Sequence, residues 1–217
     1  KIKDKVQGKA MVEAALEINH WCAGEVMYQG TDMRTGSALE IYRSGVGRCG
    51  EEAVFVVNVM RSAGIPARPV YVPRWSHCDD NHAWVEVWCD GDWHYLGACE
   101  PEAVLDKGWF TAAASRAMII HSRMFSDYVE NEEIVTHEGL TTVCNELSRY
   151  ADTQTFSVTV TENGQPLSGV TLRIELLNYS EFFPISTLVT DENGKASITL
   201  GLGDLHIHAL KDGRFIT

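Results

Sequence analysis

Basic residues are scarce in this chain, long apolar runs are missing, and none of its cysteines falls in a C-x-x-C pair. Only 18 Lys and Arg stand against 30 Asp and Glu, a formal net charge of −12. That balance repels a phosphate backbone or an anionic bilayer, which excludes both as the main partner. No apolar stretch approaches the ~20 residues that span a membrane, so no transmembrane segment is read. The lysine-rich start KIKDKVQGKA has no apolar run behind it, and no signal peptide is visible. The chain reads as a fragment, because it begins inside a helix-like pattern and stops at DGRFIT. The six cysteines (Cys22, Cys49, Cys78, Cys89, Cys99, Cys144) are not a disulfide scaffold, since 217 residues can build a core without staples. One or two bridges stay open, and so does the redox compartment.

What is present is an apolar share of 45%, enough for one large domain or two modest ones. From Val6 to Val26, apolar residues at Met11, Ala14, Ala15, Ile18, Trp21 and Cys22 recur at helical spacing. Glu51 to Ala63 is apolar nearly all round (Val54, Phe55, Val56, Val57, Val59, Met60), as a central buried helix would be, and Gly64 and Pro66 end it. Three strand-like runs come next, ARPVYVP, HAWVEVWC and WHYLGA, the last two joined by the turn DGD. A helix followed by an antiparallel sheet is an α+β layout. Between 101 and 150 the pattern predicts a short helix around SRAMIIHSRMF amid irregular structure. Beyond about 155, FSVTV, GVTLRIELL, STLVT, ASITL and LHIHAL alternate, separated by ENGQP, DENGK and GLGD. That is a small all-β sandwich with hairpin turns at both E-N-G sites. Two domains are expected, 1–150 and 155–217.

Cys49 stands between glycines at the head of the central helix. The thiolate is the reactive form of cysteine, and unpaired N–H groups with the macrodipole at a helix start favour an anion there. Gly47 and Gly50 would admit a substrate backbone, and the N–H groups of Cys49 and Gly50 could hold an oxyanion. Glu51 and Glu52 oppose a thiolate and Arg48 offsets them in part, so a base is needed. The bland alternative is that Cys49 only packs, as free cysteines commonly do. His82 opens the alternating strand HAWVEVW, 33 residues after Cys49, with one helix and one strand between. An imidazole in reach would take the thiol proton and later protonate the leaving group.

Three ordered blocks, GRCGEEAVFVVNVMRSAGIPARPVYVP, NHAWVEVW and WHYLGACEPE, resemble the core of the transglutaminase-like superfamily over roughly residues 15 to 125. The ACE and KGWF stretches look like peptide N-glycanases and bacterial transglutaminase-domain proteins. The resemblance implies a papain-like fold with Cys49 as nucleophile and His82 as base. The family's aspartate would fall where this chain has Gly97, which offers no side-chain acceptor for the imidazole. Glu100, three residues on and held by Pro101 in extended or turn geometry, is the expected substitute; its alternative role is to hold loop N–H groups. The C-terminal segment resembles prealbumin-like or carboxypeptidase-regulatory-like modules, which would suit an extracytoplasmic setting.

Eight carboxylates lie between Trp75 and Asp106 with no Lys or Arg. Glu86, Asp90 and Asp92 read as solvent-facing; Asp79 and Asp80, with Trp75, are expected to line a substrate groove. A metal held by His77, Cys78, Asp79, Asp80 and His82 is the rival reading, set aside because adjacent loop residues rarely converge. No metal or other cofactor is called for. Asn178–Tyr179–Ser180 matches a glycosylation sequon. The sum is a thiol-dependent hydrolase or acyltransferase acting on protein, peptide or glycopeptide carboxamides through an acyl-thioester, or else a catalytically silent binding module with a degraded triad.

Overall fold

A computed structural model describes residues 2–30, 34–126 and 132–216. The elements run α1 (Lys3–Val6), α2 (Met11–Glu25), β1 (Met27–Tyr28), α3 (Ala38–Ser44), β2 (Val46–Gly47), α4 (Cys49–Ser62), β3 (Ala67–Val72), β4 (His82–Cys89), β5 (Asp92–Leu96), α5 (Thr111–Ala114), β6 (His121–Met124), β7 (Glu133–Glu138), β8 (Thr141–Asn145), a 3₁₀ turn at Leu147–Arg149, and then β9 (Thr153–Thr159), β10 (Thr161–Glu162), β11 (Gln165–Pro166), β12 (Thr171–Asn178), β13 (Glu181–Val189), β14 (Lys195–Gly201), β15 (His206–Lys211) and β16 (Arg214–Ile216). The class is α+β, a helical and sheet core with an all-β region.

The chain forms two compact units, one of residues up to Tyr71 with His82–Thr111, the other of Val72–Asn81 with Ala112 onward. This division differs from the expected boundary at 150–155. The reason is that residues 112–150 pack with the C-terminal strands. Met118 and Ile119 are buried with Val170, Leu172, Ile174, Ile198 and Leu200. The Met118 carbonyl accepts from the Gly201 N–H at 3.0 Å, and Asn145 donates to the Thr199 carbonyl at 2.8 Å. Gly201 is needed there, because a Cβ would strike the Ala117 carbonyl and lie 3.2 Å from Met118 Cα.

In the first unit, α2 turns Ala14, Ala15, Ile18, Asn19 and Cys22 inward, and α4 buries Ala53, Phe55, Val56, Val57 and Met60 against the same core. Each large apolar side chain so buried stabilises by roughly 1.5–3 kcal/mol, so the most buried helix has the least freedom to shift. A capping box at Ser37 and Glu40 starts α3, and Gly45 at φ 70° ends it. The strands run in the order β5-β4-β3. Asp90 (φ 54°) and Gly91 (φ 97°) turn β4 into β5 with Val85 opposite Leu96 and Cys89 opposite Asp92. Glu86 does not face water as expected. It is 1% exposed and meets Arg68 Nε at 2.7 Å, because an acid buried on β4 must bring its own cation.

In the second unit, β13-β12-β15-β16 and the pair β14-β9 enclose the cluster around Leu172 and Ile198, the expected sandwich; β8 pairs with both β6 and β7. Asn163 (φ 52°) and Gly164 (φ 78°) close the β10–β11 hairpin, as its E-N-G sequence implies. The helix expected around SRAMIIHSRMF is instead a buried connection, Ile119 and Ile120, running into β6. Apolar side chains on consecutive residues suit a strand buried on both sides, which helical counting mistakes for a stripe. The sequon is also structural. Asn178 is buried and donates to the carbonyls of Trp75 (3.0 Å) and Cys78 (2.8 Å), so its amide is already committed.

Candidate active site

All of the thiol chemistry expected from the sequence lies in the first unit. Cys49 is the first residue of α4, half-buried, with the N–H groups of Gly50 and of Ala83 directed at its sulfur. Ala83 is the second residue of β4, next to His82, so the helix start and the strand start meet at this sulfur. Burial is the largest influence on the thiol and raises its pKa; the two N–H groups and Arg48 pull it down without overcoming that. The expected net lowering at a helix start is therefore reversed, because desolvation outweighs the dipole. Gly47 has a packing reason as well: a Cβ there would lie 3.0 Å from the Glu51 Cβ. The repulsion expected from Glu51 is diverted into structure, since its carboxylate accepts from the N–H groups of Arg48 and Gly36, both at 3.1 Å. Arg48 in turn donates to Thr35 Oγ1 at 2.8 Å.

His82 is buried among aromatic rings, with Trp109, Phe110 and Trp84 at centroid distances of 4.7, 5.0 and 5.8 Å. Trp109 links it to a carboxylate, for its Nε1–H donates to Glu100 Oε1 at 2.9 Å. Glu100 occupies the space that a side chain at Gly97 would need. A Cβ built on Gly97 would collide with Glu100 Oε2 and come within 2.9 Å of its Cβ. The chain returns through a tight turn in which Glu100 N–H bonds the Gly97 carbonyl at 3.2 Å and Cys99 sits at φ 58°, a left-handed conformation uncommon outside glycine. Asn19 fixes the turn from α2, donating to the Gly97 and Glu100 carbonyls at 2.9 and 3.3 Å and accepting from Cys99 N–H at 3.0 Å. Oε2 of Glu100 is buried and has no hydrogen-bond partner among the described residues.

Glu52, one turn along α4 from Cys49, is 3% exposed. Burial first, and then the charge of Glu100, push its pKa up to about 8; burial also raises Glu100. Two carboxylates in one poorly solvated place do not both ionise readily near neutral pH, and burial favours the protonated form of each. A neutral Glu52 repels a thiolate little. Glu52, Cys99 and Glu100 line a cleft of about 510 Å³ whose rim carries the exposed Met27 and Tyr28. Sequence reasoning does not single out Glu52, Asn19 or Trp109 as functional. Only Asn19, a polar residue on an otherwise apolar helix face, leaves a readable signal.

Trp75, Asp79 and Asp80 belong to the second unit. Trp75 is 2% exposed, so it offers no groove surface. Asp79 accepts from the Tyr179 N–H at 2.7 Å and Asp80 from its neighbour Asn81. His77 lies against the Trp75 ring at 5.6 Å, and Cys78 is exposed. None of the six cysteines is in a disulfide among the described residues.

The sequence model of the transglutaminase-like superfamily matches residues 1–98. That stretch is similar to a transglutaminase-like core. Among solved structures, the chain is similar to Legionella pneumophila LapG (16% identity, 48% of this chain and 62% of that one, TM-score 0.40). It is also similar to red sea bream transglutaminase (12% identity, 92% and 48%, TM-score 0.39) and to a TGase (13%, 45% and 29%, TM-score 0.38). It spans less than two thirds of each of these. No curated protein matches the chain.

Proposed function

We propose that this chain is a thiol-dependent amide hydrolase or acyltransferase, with Cys49 as nucleophile, His82 as general base and Glu100 as the carboxylate that supports the imidazolium. The observation that carries this reading is the convergence at the Cys49 sulfur of a helix N-terminus and of the strand that begins with His82. The raised thiol pKa assigns the order of events. The resting sulfur is protonated, so His82 takes the proton as the sulfur attacks the carboxamide carbon, and the imidazolium then gives it to the leaving amine. Water or an acceptor amine resolves the thioester and returns the proton to sulfur. Glu100 lies over Gly97, where the family resemblance puts an aspartate. The carboxamide would belong to a protein, peptide or glycopeptide chain.

Iodoacetamide labelling followed by peptide mass mapping tests the pair, and exposed Cys78 serves as an internal reference thiol. His82→Ala is expected to slow Cys49 labelling at pH 7 by at least ~10-fold, the low end of a general base's usual contribution, without changing Cys78. A Cys49 whose labelling is indifferent to His82→Ala leaves the silent binding module as the better account.

A further inference from the structure

The second unit holds a group of chemistry-bearing side chains that the thiol site does not use. Glu175 lies on β12 directly opposite His206 on β15, and Arg173 lies opposite His208. The two-residue repeat of a strand puts all four on one face, opposite the face that contributes Leu172 and Ile174 to the core. Glu175 is nevertheless 1% exposed. It is covered by the groups that converge on it: Nδ1 of His206 at 3.0 Å and Nδ1 of His208 at 2.6 Å, both from the same oxygen, Oε2. Arg173 meets the other oxygen, Oε1, at 3.0 Å. The rings are held from outside, His206 stacked on Phe182 at 4.1 Å and His208 against Phe215 at 5.2 Å.

We infer that Glu175, His206 and His208 form a binding site for a divalent transition-metal ion of the zinc class. Neutralising one buried carboxylate requires one cation, and Arg173 supplies it; two imidazole nitrogens on the remaining oxygen exceed that need. Their donor atoms and the carboxylate oxygen all lie within 4.8 Å of one another. An ion bonded at about 2.1 Å holds neighbouring donors about 3.0 to 3.4 Å apart, so the pairs seen here need to open by less than an ångström. Two imidazoles and a carboxylate suit zinc, cobalt or ferrous iron and leave one or more positions for water. Arg173 forms an ion pair with the non-ligating oxygen, and its charge moderates affinity, so micromolar binding is expected.

The test uses the full chain, stripped with EDTA, and Cys49→Ser as the common background so that the proposed nucleophile contributes no ligand. Titration with Co²⁺ and Zn²⁺ against a chromogenic chelator is expected to give one equivalent, with a cobalt spectrum of nitrogen and oxygen donors and no thiolate charge-transfer band. His206→Gln and His208→Gln should each weaken binding at least 10-fold. Urea melts of the metal-free proteins establish that both variants fold; if either does not, the cobalt spectrum of the parent decides. No stoichiometric binding, binding unchanged in folded variants, or a thiolate band would each overturn the assignment.

Discussion

The two units bury carboxylates in opposite company. Glu52 and Glu100 in the first face each other, with the Trp109 N–H as donor to one oxygen of the pair. Glu175 in the second is buried as deeply as Glu52 but meets Arg173, His206 and His208. One residue type at similar burial thus becomes a proton store in one place and the hub of a basic cluster in the other. The difference does not reflect a first unit unable to pair a buried acid, because Glu86 there has Arg68 at 2.7 Å. Where structure alone is at stake the acid is matched with a cation; at the cleft it is not. Uncompensated acids cost stability, and that cost tends to be tolerated where chemistry needs shifted pKa values.

The largest expected effect comes from breaking the matched pair. Arg68→Met leaves Glu86 buried without its cation and should lower stability by about 3–5 kcal/mol in urea melts at pH 7. Adding Glu86→Leu should return most of that loss. A loss under ~1 kcal/mol for Arg68→Met would remove the contrast between matched and unmatched acids, since it would mean a buried glutamate is tolerated equally in either setting.

Glu52 gives the converse experiment. Its folded pKa is raised from 4.5 to about 8, so the fold holds this proton more tightly than the unfolded chain. The stability it contributes is therefore complete below pH 4.5 and is lost as pH rises through about 8. Glu52→Gln has no such slope. At roughly 1.4 kcal/mol per pKa unit, and allowing for relaxation around the charged form, the variant should gain on the order of 2–4 kcal/mol over wild type between about pH 4.5 and 8.5. Thermal melts that stay parallel across that window would show that Glu52 is not the stored proton.

Much of this is legible in the sequence, for physical reasons that also mark the limit. Val54 to Met60 announces the central helix, since a helix apolar on most sides has nowhere to go but the core. The alternation of HAWVEVWC announces β4, and the departure at Gly97 points to Glu100. The fit of Glu100 over Gly97 depends on Cys99 adopting φ 58° and on Asn19 from α2, a pairing across 80 residues that no local pattern encodes. Glu86 escapes sequence reasoning because alternation reports which face a residue is on and not whether that face is covered. The cluster around Glu175 is hidden for the same reason: His206 and His208 stand two apart, but their partner lies 31 residues before the first of them. The division near residue 112 has no local signal either, because Met118 and Ile119 join the sandwich core by tertiary contact alone.

The occupancy of Gly97 by Glu100 can be sharpened directly. Gly97→Ala forces the carboxylate out of its place, since the new Cβ would overlap Oε2, and at 2.9 Å from the Glu100 Cβ it also shifts the turn. Glu100→Gln keeps the shape and removes the charge. If the charge supports the imidazolium, both should slow Cys49 alkylation at pH 7 by about 10-fold, near 1.4 kcal/mol, and each in the background of the other should add little. Full reactivity in Glu100→Gln would assign Glu100 to holding the turn.

The smallest expected effect is the most diagnostic, because it separates the two contacts that Trp109 makes. Its ring lies 4.7 Å from His82 and its N–H donates to Glu100. Trp109→Phe keeps an aromatic ring beside the imidazole and removes only the donor; Trp109→Leu removes both. The residue is 64% exposed, so water can replace much of the lost hydrogen bond, and the net cost should fall near about 0.5–1 kcal/mol. That donor lowers the Glu100 pKa, against burial, which raises it. Without it the carboxylate holds its proton to higher pH. The acid limb of the Cys49 alkylation profile should then move upward by a few tenths of a pH unit in Trp109→Phe, with the plateau nearly unchanged, whereas Trp109→Leu should lower the plateau as well by loosening His82. An acid limb that stays in place in the phenylalanine variant would mean that ionisation of Glu100 is not coupled to the thiol, and the cleft acids would then differ from Glu175 in company but not in consequence.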